Sequence, residues 1–504
     1  MKILLLYPEV MNTFFTFKEV LKFLPQKAYF PPLGLLTVAG MLPAHWTLKL
    51  VDMNVTSLTD DEIKSADYVF VSAMVVQRKS VRQVIDRCKE LNAKIVAGGP
   101  LFTTYYEDYD DVDYLVLGEA EATLPLFLSD VENGCAKHLY LPEDMPDLRL
   151  SPTPLWSLIN LSDYVTMPIQ TSRGCPFDCE FCDVVVLNGH KPRMKSKEQV
   201  IKELDILYEK GWRSNIFIVD DNFVGNKQKV KTETLPALIS WSNQKKFRFW
   251  FNAQVSINLA DDEELMHLMH TAGFFKVFVG IETVNEESLS ECGKTQNLRR
   301  NLVETVKLLH KHGLEVQGGF IVGFDSDPTS IFQEQVDFIQ DSGIVTATVS
   351  LLGAARGTKL YKRLKAENRL LTEWSGDNTD CSLNFVPRMD FDTLINGYKY
   401  ILSTINSPKY FYTRLRTFLK EYQLQTSITS ARGFPNIVYI CRDLIKNIKV
   451  IIFLGISNSG RADFWKLYIS TLIKHPRSLP VMVNLSIFGF HFNQLTRKLC
   501  AQQS

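Results

Sequence analysis

Wholly apolar runs alternate with polar, helix-patterned segments along most of this chain, and they do so in two separate series. The first is KILLLYP, WTLKLVD, DYVFVSAMV, KIVAGG and DYLVLGE, all within residues 1–135. An apolar run without period-two alternation suits a strand buried on both faces, the condition of a parallel sheet covered by helices on each side. Five such units predict an α/β domain with an open, flavodoxin-like (Rossmann-type) sheet. The second series is VTMPIQTS, SNIFIVD, RFWFNAQVS, FKVFVGIE, EVQGGFIVGF and TATVSLLGA, interleaved with helical segments such as KEQVIKELDILYEKG and DEELMHLMHTAG. Six βα units over residues 161–375 fall short of the eight that close a TIM barrel, so a partial (β/α)6 barrel is expected. Residues 136–160 between the series are rich in Pro, Asp and Leu without a period and read as a linker.

Residues 376–504 turn helical and aromatic, predicting a mostly helical C-terminal domain. Its apolar stretches VIIFLG and LPVMVNLSIFGF are shorter than the roughly 20 residues a membrane-spanning helix needs. From residue 391 onward fifteen Lys/Arg stand against four Asp/Glu, a net +11 in a chain whose overall charge is zero. Such a surface fits a solvated helical cap, a substrate lid or helices lying on anionic lipid, so peripheral membrane contact is one expectation for this domain. No nucleic-acid recognition motif accompanies the charge, and nucleic acid is not expected as a partner. Six of the nine cysteines are scattered singly through segments of unrelated pattern, which suits reduced thiols in a cytoplasmic protein. The opening MKILLLYPEV lacks a small-residue cleavage pattern and reads as a first strand, not a signal peptide.

The other three cysteines, Cys175, Cys179 and Cys182, sit in TSRGCPFDCEFCDVVVLNGHKPRMKS (171–196), at the end of the first strand of the second series. Three soft thiolates in one loop suit zinc or iron–sulfur more than a hard cation. Structural zinc wants a fourth ligand at knuckle spacing, and His190 lies too far beyond Cys182 for that spacing. A [4Fe-4S] cluster held by three cysteines instead keeps one iron open for a substrate or a second cofactor.

This C-x3-C-x-Φ-C loop, with Phe181 before the last cysteine, resembles the radical S-adenosyl-L-methionine (SAM) superfamily. The resemblance implies a [4Fe-4S] cluster on Cys175, Cys179 and Cys182. It also implies SAM chelated to the open iron and cleaved to a 5′-deoxyadenosyl radical inside a barrel that excludes water. Site residues follow by position: Phe181 beside the adenine, Asp220 or Asp221 on the SAM ammonium, and Gln254 and Ser256 at its ribose or carboxylate. Glu282 falls at a SAM hydroxyl or the substrate pocket, and Gly319, Ile321 and Gly323 form the adenine-stacking G-x-I-x-G pattern. Asp220 and Asp221 also fit a helix N-cap, and Glu282 a structural ion pair. One departure is visible. After the sixth strand the superfamily often has L-x-G-T preceded by proline, whereas this chain has Ala354-Ala355-Arg356-Gly357-Thr358, which leaves the shape of that loop open.

A flavodoxin-like domain ahead of such a barrel resembles the cobalamin-binding branch of the superfamily. Cobalamin is then expected near Pro32, Leu33, Asp52, Ser72, Met74, Gln77, Gly98, Gly99, Gly118 and Glu119, at the carboxyl ends of the first-series strands. The chain has no Asp-x-His-x-x-Gly motif. The resemblance therefore implies base-off cobalamin, its lower face open or covered by a residue such as Met74 or Gln77. GHKPRMKSKEQV, IVDDNFVGNK, GIETVNEESLSECGKTQN and GGFIVGFDSDP, together with the basic tail, are similar to proteins related to the hopanoid C-2 methylase over nearly the whole chain. The implied activity is cobalamin-dependent C-methylation of an unactivated carbon in a small-molecule substrate, lipid or hopanoid-like, with electrons from a donor such as flavodoxin or ferredoxin. Two alternatives stay open: a non-methylating cobalamin radical SAM enzyme (an oxidative cyclase or a rearrangement), and a non-catalytic corrinoid or iron–sulfur sensor.

Overall fold

The first series forms β1 (Lys2–Tyr7), β2 (Thr47–Asp52), β3 (Tyr68–Ser72), β4 (Ile95–Gly98), β5 (Tyr114–Val116) and β6 (Leu139–Tyr140). All pair in parallel, in the order β2-β1-β3-β4-β5-β6. On β1, Leu4 and Leu6 pack into one apolar layer and Ile3 and Leu5 into the other, each at most 2% exposed, which is why the run shows no alternation. The strand order reverses between β1 and β3 and opens a crevice beyond their carboxyl ends. β6 comes from the segment read as linker, so part of residues 136–160 is a sheet edge. With only two residues it carries no readable periodicity. The computed structural model describes residues 1–422 and 446–501; Cys441 and the first part of VYICRDLIKNIKVIIFLG, read above as helical, lie outside the described residues.

The second series begins with β7 (Met167–Ile169), followed by an antiparallel pair, β8 (Ser172–Arg173) and β9 (Arg193–Met194). β10 (Asn215–Ile218), β11 (Trp250–Val255), β12 (Phe274–Glu282), β13 (Glu315–Val322) and β14 (Ala347–Leu351) complete it. β7 and β10 to β14 pair in parallel and in chain order, with β7 and β14 as the two edges, an open barrel of six strands. Ile216, Ile218, Val277, Val279 and Ile281 are buried in the apolar core. The alternate positions Phe217, Gln254 and Phe278 are half-buried and face the lumen, as period-two geometry requires.

Helices Phe391–Ile405 and Pro408–Glu421 pack on the barrel helix Ile331–Ser342. Arg414 is 1% exposed, and it donates to Gln340 Oε1, Ile405 O and Val345 O, each at 3.0 Å. A buried guanidinium needs such acceptors, and the two Nη groups find them while Nε is left without one among the described residues. The last helix, Leu479–Ala501, lies against the start of the chain. His491 Nε2 is 3.2 Å from Phe14 O, and Lys498 pairs with Glu19 at 2.9 Å. The barrel, part of residues 14–36 and the C-terminal helices therefore share one apolar core. Among the described residues no helix is long and apolar enough to cross a membrane.

Candidate functional site

The β8–β9 pair pinches together the two ends of the cysteine loop. Gly174 opens the loop at φ +96°, where a Cβ would stand 2.8 Å from Lys191 O, so only glycine fits. Asp221, just beyond β10, accepts the Gly174 N–H at 2.7 Å and the Asn188 amide at 2.9 Å. Cys175 N–H donates to Gly189 O at 3.2 Å and Cys182 N–H to Cys179 O at 3.1 Å. All three thiols are free, and burial pushes each pKa up, that of Cys182 to about 12. A thiolate in this loop needs an adjacent cation to form, which fits the irons of a cluster. Asn222 Nδ2 stands 4.0 Å from Cys175 Sγ, a weak N–H···S contact of the kind that tunes such ligands.

β12 ends in a bulge. Gly280 pairs with Gly319 and Glu282 with Phe320, skipping Ile281, and Glu282 takes φ +66°. Such irregularities re-aim side chains beside sites. Asn297 donates to Ile281 O and Gln335 to Ile321 O, each at 2.9 Å, and both side chains brace the ends of β12 and β13. Glu282 meets Lys294 Nζ at 2.6 Å, and a Cβ on Gly280 would collide with both groups. Burial works against the charge of Lys294, but Glu282 and then Cys179 outweigh it and raise its pKa. A buried ammonium thus stands beside the cluster-loop thiols. The strand of chain that carries it touches that loop directly, since Glu180 N–H donates to Cys292 O at 2.8 Å.

The expected adenine residues also converge. Phe181 packs on Phe324, just past Gly323, with ring centroids 6.0 Å apart. Gly319 has no room for a side chain, because a Cβ there would lie 2.9 Å from Phe278 Cζ. Asp327 holds the turn after Ile321 and Gly323 by accepting the Gly323 and Phe324 N–H groups at 2.8 and 3.1 Å. Ser256 N–H donates to Asn222 Oδ1 at 3.2 Å, which ties the end of β11, with Gln254, to the end of β10. Residues 14–30 of the first domain bring aromatic rings to the lumen: Phe15 lies 6.0 Å from Phe278 and Phe30 lies 5.4 Å from Phe217.

In the first domain, Pro32 and Leu33 begin the helix Leu33–Met41, Ser72, Gly98 and Gly99 end β3 and β4, and Gly118 follows β5. Gly99 at φ +88° leaves 2.6 Å between a would-be Cβ and Ser72 Oγ, so this rim stays bare of side chains, and Met74 beside it is 43% exposed. Four expected ligands are instead engaged by the protein itself. Gln77 is wholly buried, donating to Pro8 O at 2.6 Å and accepting from Met74 N–H at 2.8 Å, so it does not cover a corrin face. Asp52 accepts from Asn54 and from Tyr164 Oη at 3.0 Å, and burial raises its pKa. Asp220 accepts from the backbone and hydroxyl of Thr171 and from Ser172 Oγ, pinning the end of β10 to the connection between β7 and β8. Glu119 pairs with Arg173 at 2.6 Å and with Arg193, both from the barrel.

The sequence did not single out Lys294, Glu121, Arg173 or Arg193. Their signal was faint: Lys294, Arg173 and Arg193 fall within quoted motifs, but nothing local names their partners. Arg356, the departure after the sixth strand, also finds its reason here. It stacks on the Tyr105 ring at 4.6 Å, where Arg78 stacks at 4.2 Å, and pairs with Glu373 at 2.6 Å, sealing the first domain to the barrel.

Residues 26–128 match the B12 binding domain family, residues 169–339 the Radical SAM superfamily and residues 358–504 a domain of unknown function (DUF4070). The chain is 39% identical over 499 residues to an uncharacterized methyltransferase of Synechocystis sp., covering 98% of this chain and 92% of that one. It is 33% identical over 485 residues to the hopanoid C-2 methylase of Rhodopseudomonas palustris, covering 94% and 90%. The chain belongs to the cobalamin-binding radical SAM methyltransferases. The methyltransferase has the fold of the cobalamin-dependent S-adenosylmethionine radical enzyme OxsB solved with aqua-cobalamin and S-adenosylmethionine bound. That likeness has a TM-score of 0.63 at 15% identity over 100% of this chain and 80% of the other. The cofactors of this methyltransferase are a [4Fe-4S] cluster, SAM and cobalamin. The three free thiols of the cysteine loop, one buried and two half-buried, and the bare Gly98-Gly99 rim fit the first and the last of these.

Proposed function

We propose that the methyltransferase methylates an unactivated carbon of a small, largely apolar substrate held in the barrel lumen between the cysteine loop and the first domain. A lipid or hopanoid-like skeleton is the class this reading favours. The observation that carries it is the aromatic wall of Phe15, Phe30, Phe217 and Phe278; the hopanoid C-2 methylase among its relatives supports it. Apolar rings hold a hydrocarbon by shape and exclude water, the environment a carbon-centred radical needs. When bound, SAM on the reduced cluster supplies hydrogen-atom abstraction and cobalamin relays the methyl group.

In this reading Cys175, Cys179 and Cys182 hold the cluster, and Asp221 fixes their loop through Gly174. Phe181, Gly319, Ile321 and Gly323 receive the adenine, while Gln254, Ser256 and the Glu282–Lys294 pair serve the rest of SAM. Pro32, Leu33, Ser72, Met74, Gly98, Gly99 and Gly118 line the cobalamin crevice. The working units are residues 1–135, 161–375 and 376–504. The enzyme works in the cytoplasm with peripheral membrane contact through its C-terminal domain, and draws electrons from a flavodoxin or ferredoxin.

The test is reconstitution with cobalamin, SAM, a low-potential reductant and an apolar polycyclic acceptor. Methylated product is expected together with both S-adenosylhomocysteine and 5′-deoxyadenosine. Formation of 5′-deoxyadenosine alone would overturn the methylation and favour an oxidative cyclase or rearrangement.

A further inference from the structure

The C-terminal domain turns an aliphatic, basic face to solvent. In the helix Arg461–Lys474, Phe464, Leu467 and Thr471 are buried, whereas Ile469, Leu472 and Ile473 are 51%, 48% and 73% exposed. In residues 446–456, Val450 and Leu454 are buried and Ile448, Ile452 and Ile456 are 49%, 47% and 61% exposed. The two segments pack through Trp465, whose indole N–H donates to Gly455 O at 2.9 Å, so they form one unit. Along residues 446–478 the basic positions are 446, 449, 461, 466, 474 and 477, against the single acid Asp463. The run from Leu472 to Arg477, LIKHPR, is exposed at every residue.

We propose that this face docks the enzyme on an anionic lipid bilayer, with the isoleucines entering the headgroup–acyl boundary and the Lys and Arg side chains meeting lipid phosphates. The assignment rests on charge complementarity and on residue type. A protein-binding face is typically anchored by aromatic residues and arginine at its core. Aliphatic side chains bordered by lysine and arginine, with a single acid, match a membrane surface instead. No described helix spans a bilayer, so the contact is peripheral. It rests on the membrane contact put forward above, gives that contact its residues, and is independent of which molecule accepts the methyl group.

The experiment is flotation of the full-length protein with phosphatidylcholine vesicles and with vesicles containing phosphatidylglycerol as well. The protein is expected to float with the anionic vesicles only, and less at high salt. The double variants Ile469→Ser/Ile473→Ser and Lys466→Glu/Lys474→Glu should each lower partitioning about tenfold or more. Their unfolding midpoints should match the parent, since the altered residues are exposed. Parent protein that fails to float with either vesicle, or variants that float as well as the parent, would overturn the assignment. Concentration-dependent self-association abolished by the isoleucine variant, without flotation of the parent, would give the face to a second copy of the chain and also overturn it. Methyl transfer is scored separately with detergent-dispersed acceptor: turnover with no vesicle binding sinks the docking face alone, and vesicle binding with no turnover sinks the methylation alone.

Discussion

The Arg173 guanidinium grips Glu121 with both arms, Nη1 to Oε2 and Nη2 to Oε1, each at 2.9 Å, while Nη1 also reaches Glu119 at 2.6 Å. Arg173 immediately precedes Gly174 and the first cysteine, and the two glutamates belong to the first domain. One side chain therefore anchors the start of the cysteine loop to the domain that binds cobalamin. Arg173→Ala leaves Glu121 buried without its cation while Glu119 keeps Arg193, and a broken buried pair of this kind costs about 3–5 kcal/mol. Arg173→Lys should recover only part of the loss, because an ammonium lacks the planar fork. Chemical denaturation of the three proteins reads the series directly.

The same contact sets a pH window. Burial alone would raise the pKa of Glu121, but Arg173 outweighs it and brings the value from the ordinary 4.5 down to about 2. A depressed carboxylate stabilises the fold above its unfolded pKa and loses that contribution as pH falls through the folded value. Stability should thus fall as the pH drops from about 4.5 toward 2, by on the order of 3 kcal/mol from this group. A thermal-unfolding series across that window should show a shallower slope for Glu121→Gln than for the parent; identical slopes would contradict the assignment.

Lys294→Met isolates Glu282 in the barrel, and an uncompensated buried charge again costs about 3–5 kcal/mol. The double variant Glu282→Gln/Lys294→Met should regain most of this stability. Neither variant should regain turnover: 5′-deoxyadenosine formation is expected to fall about tenfold or more if the pair serves bound SAM. A stable double variant with parental SAM cleavage would reduce the pair to a structural role.

Four cysteines crowd the cluster loop and its neighbour, and only three are assigned to iron. Replacing Cys175, Cys179 or Cys182 by alanine should abolish iron and sulfide retention after anaerobic reconstitution. Cys292→Ala should retain both, since Cys292 lies outside the three-cysteine loop and its thiol donates to Leu289 O at 3.6 Å. Loss of the cluster in Cys292→Ala would require a different ligand set.

Phe278→Ala and Phe15→Ala remove facing rings from the lumen. Each should raise the KM for an apolar acceptor about tenfold, the scale of one buried aromatic contact. Acceptor-independent cleavage of SAM should persist in Phe15→Ala, because that ring lies in neither the cysteine loop nor the Gly319 to Gly323 segment.

The sequence by itself determined the two parallel sheets and the cysteine loop. Strand character is written in runs such as Ile3 to Leu6, where each residue is buried whichever face it takes, and Val277 to Ile281, where the alternate residues are buried, and the spacing of Cys175, Cys179 and Cys182 is complete within one loop. The partners of the polar residues were decided by tertiary structure. Gln77, Glu119 and Asp220 have the residue types of ligands, yet segments distant in sequence occupy their oxygens and nitrogens: Pro8, Arg173 and Arg193, and Thr171 and Ser172. The bulge that turns Glu282 toward Lys294 likewise depends on Asn297 and Gln335. Apolar periodicity is a local property of the chain, whereas a buried polar atom bonds whatever the packing brings within about 3 Å, and that is fixed only when the domains close on one another.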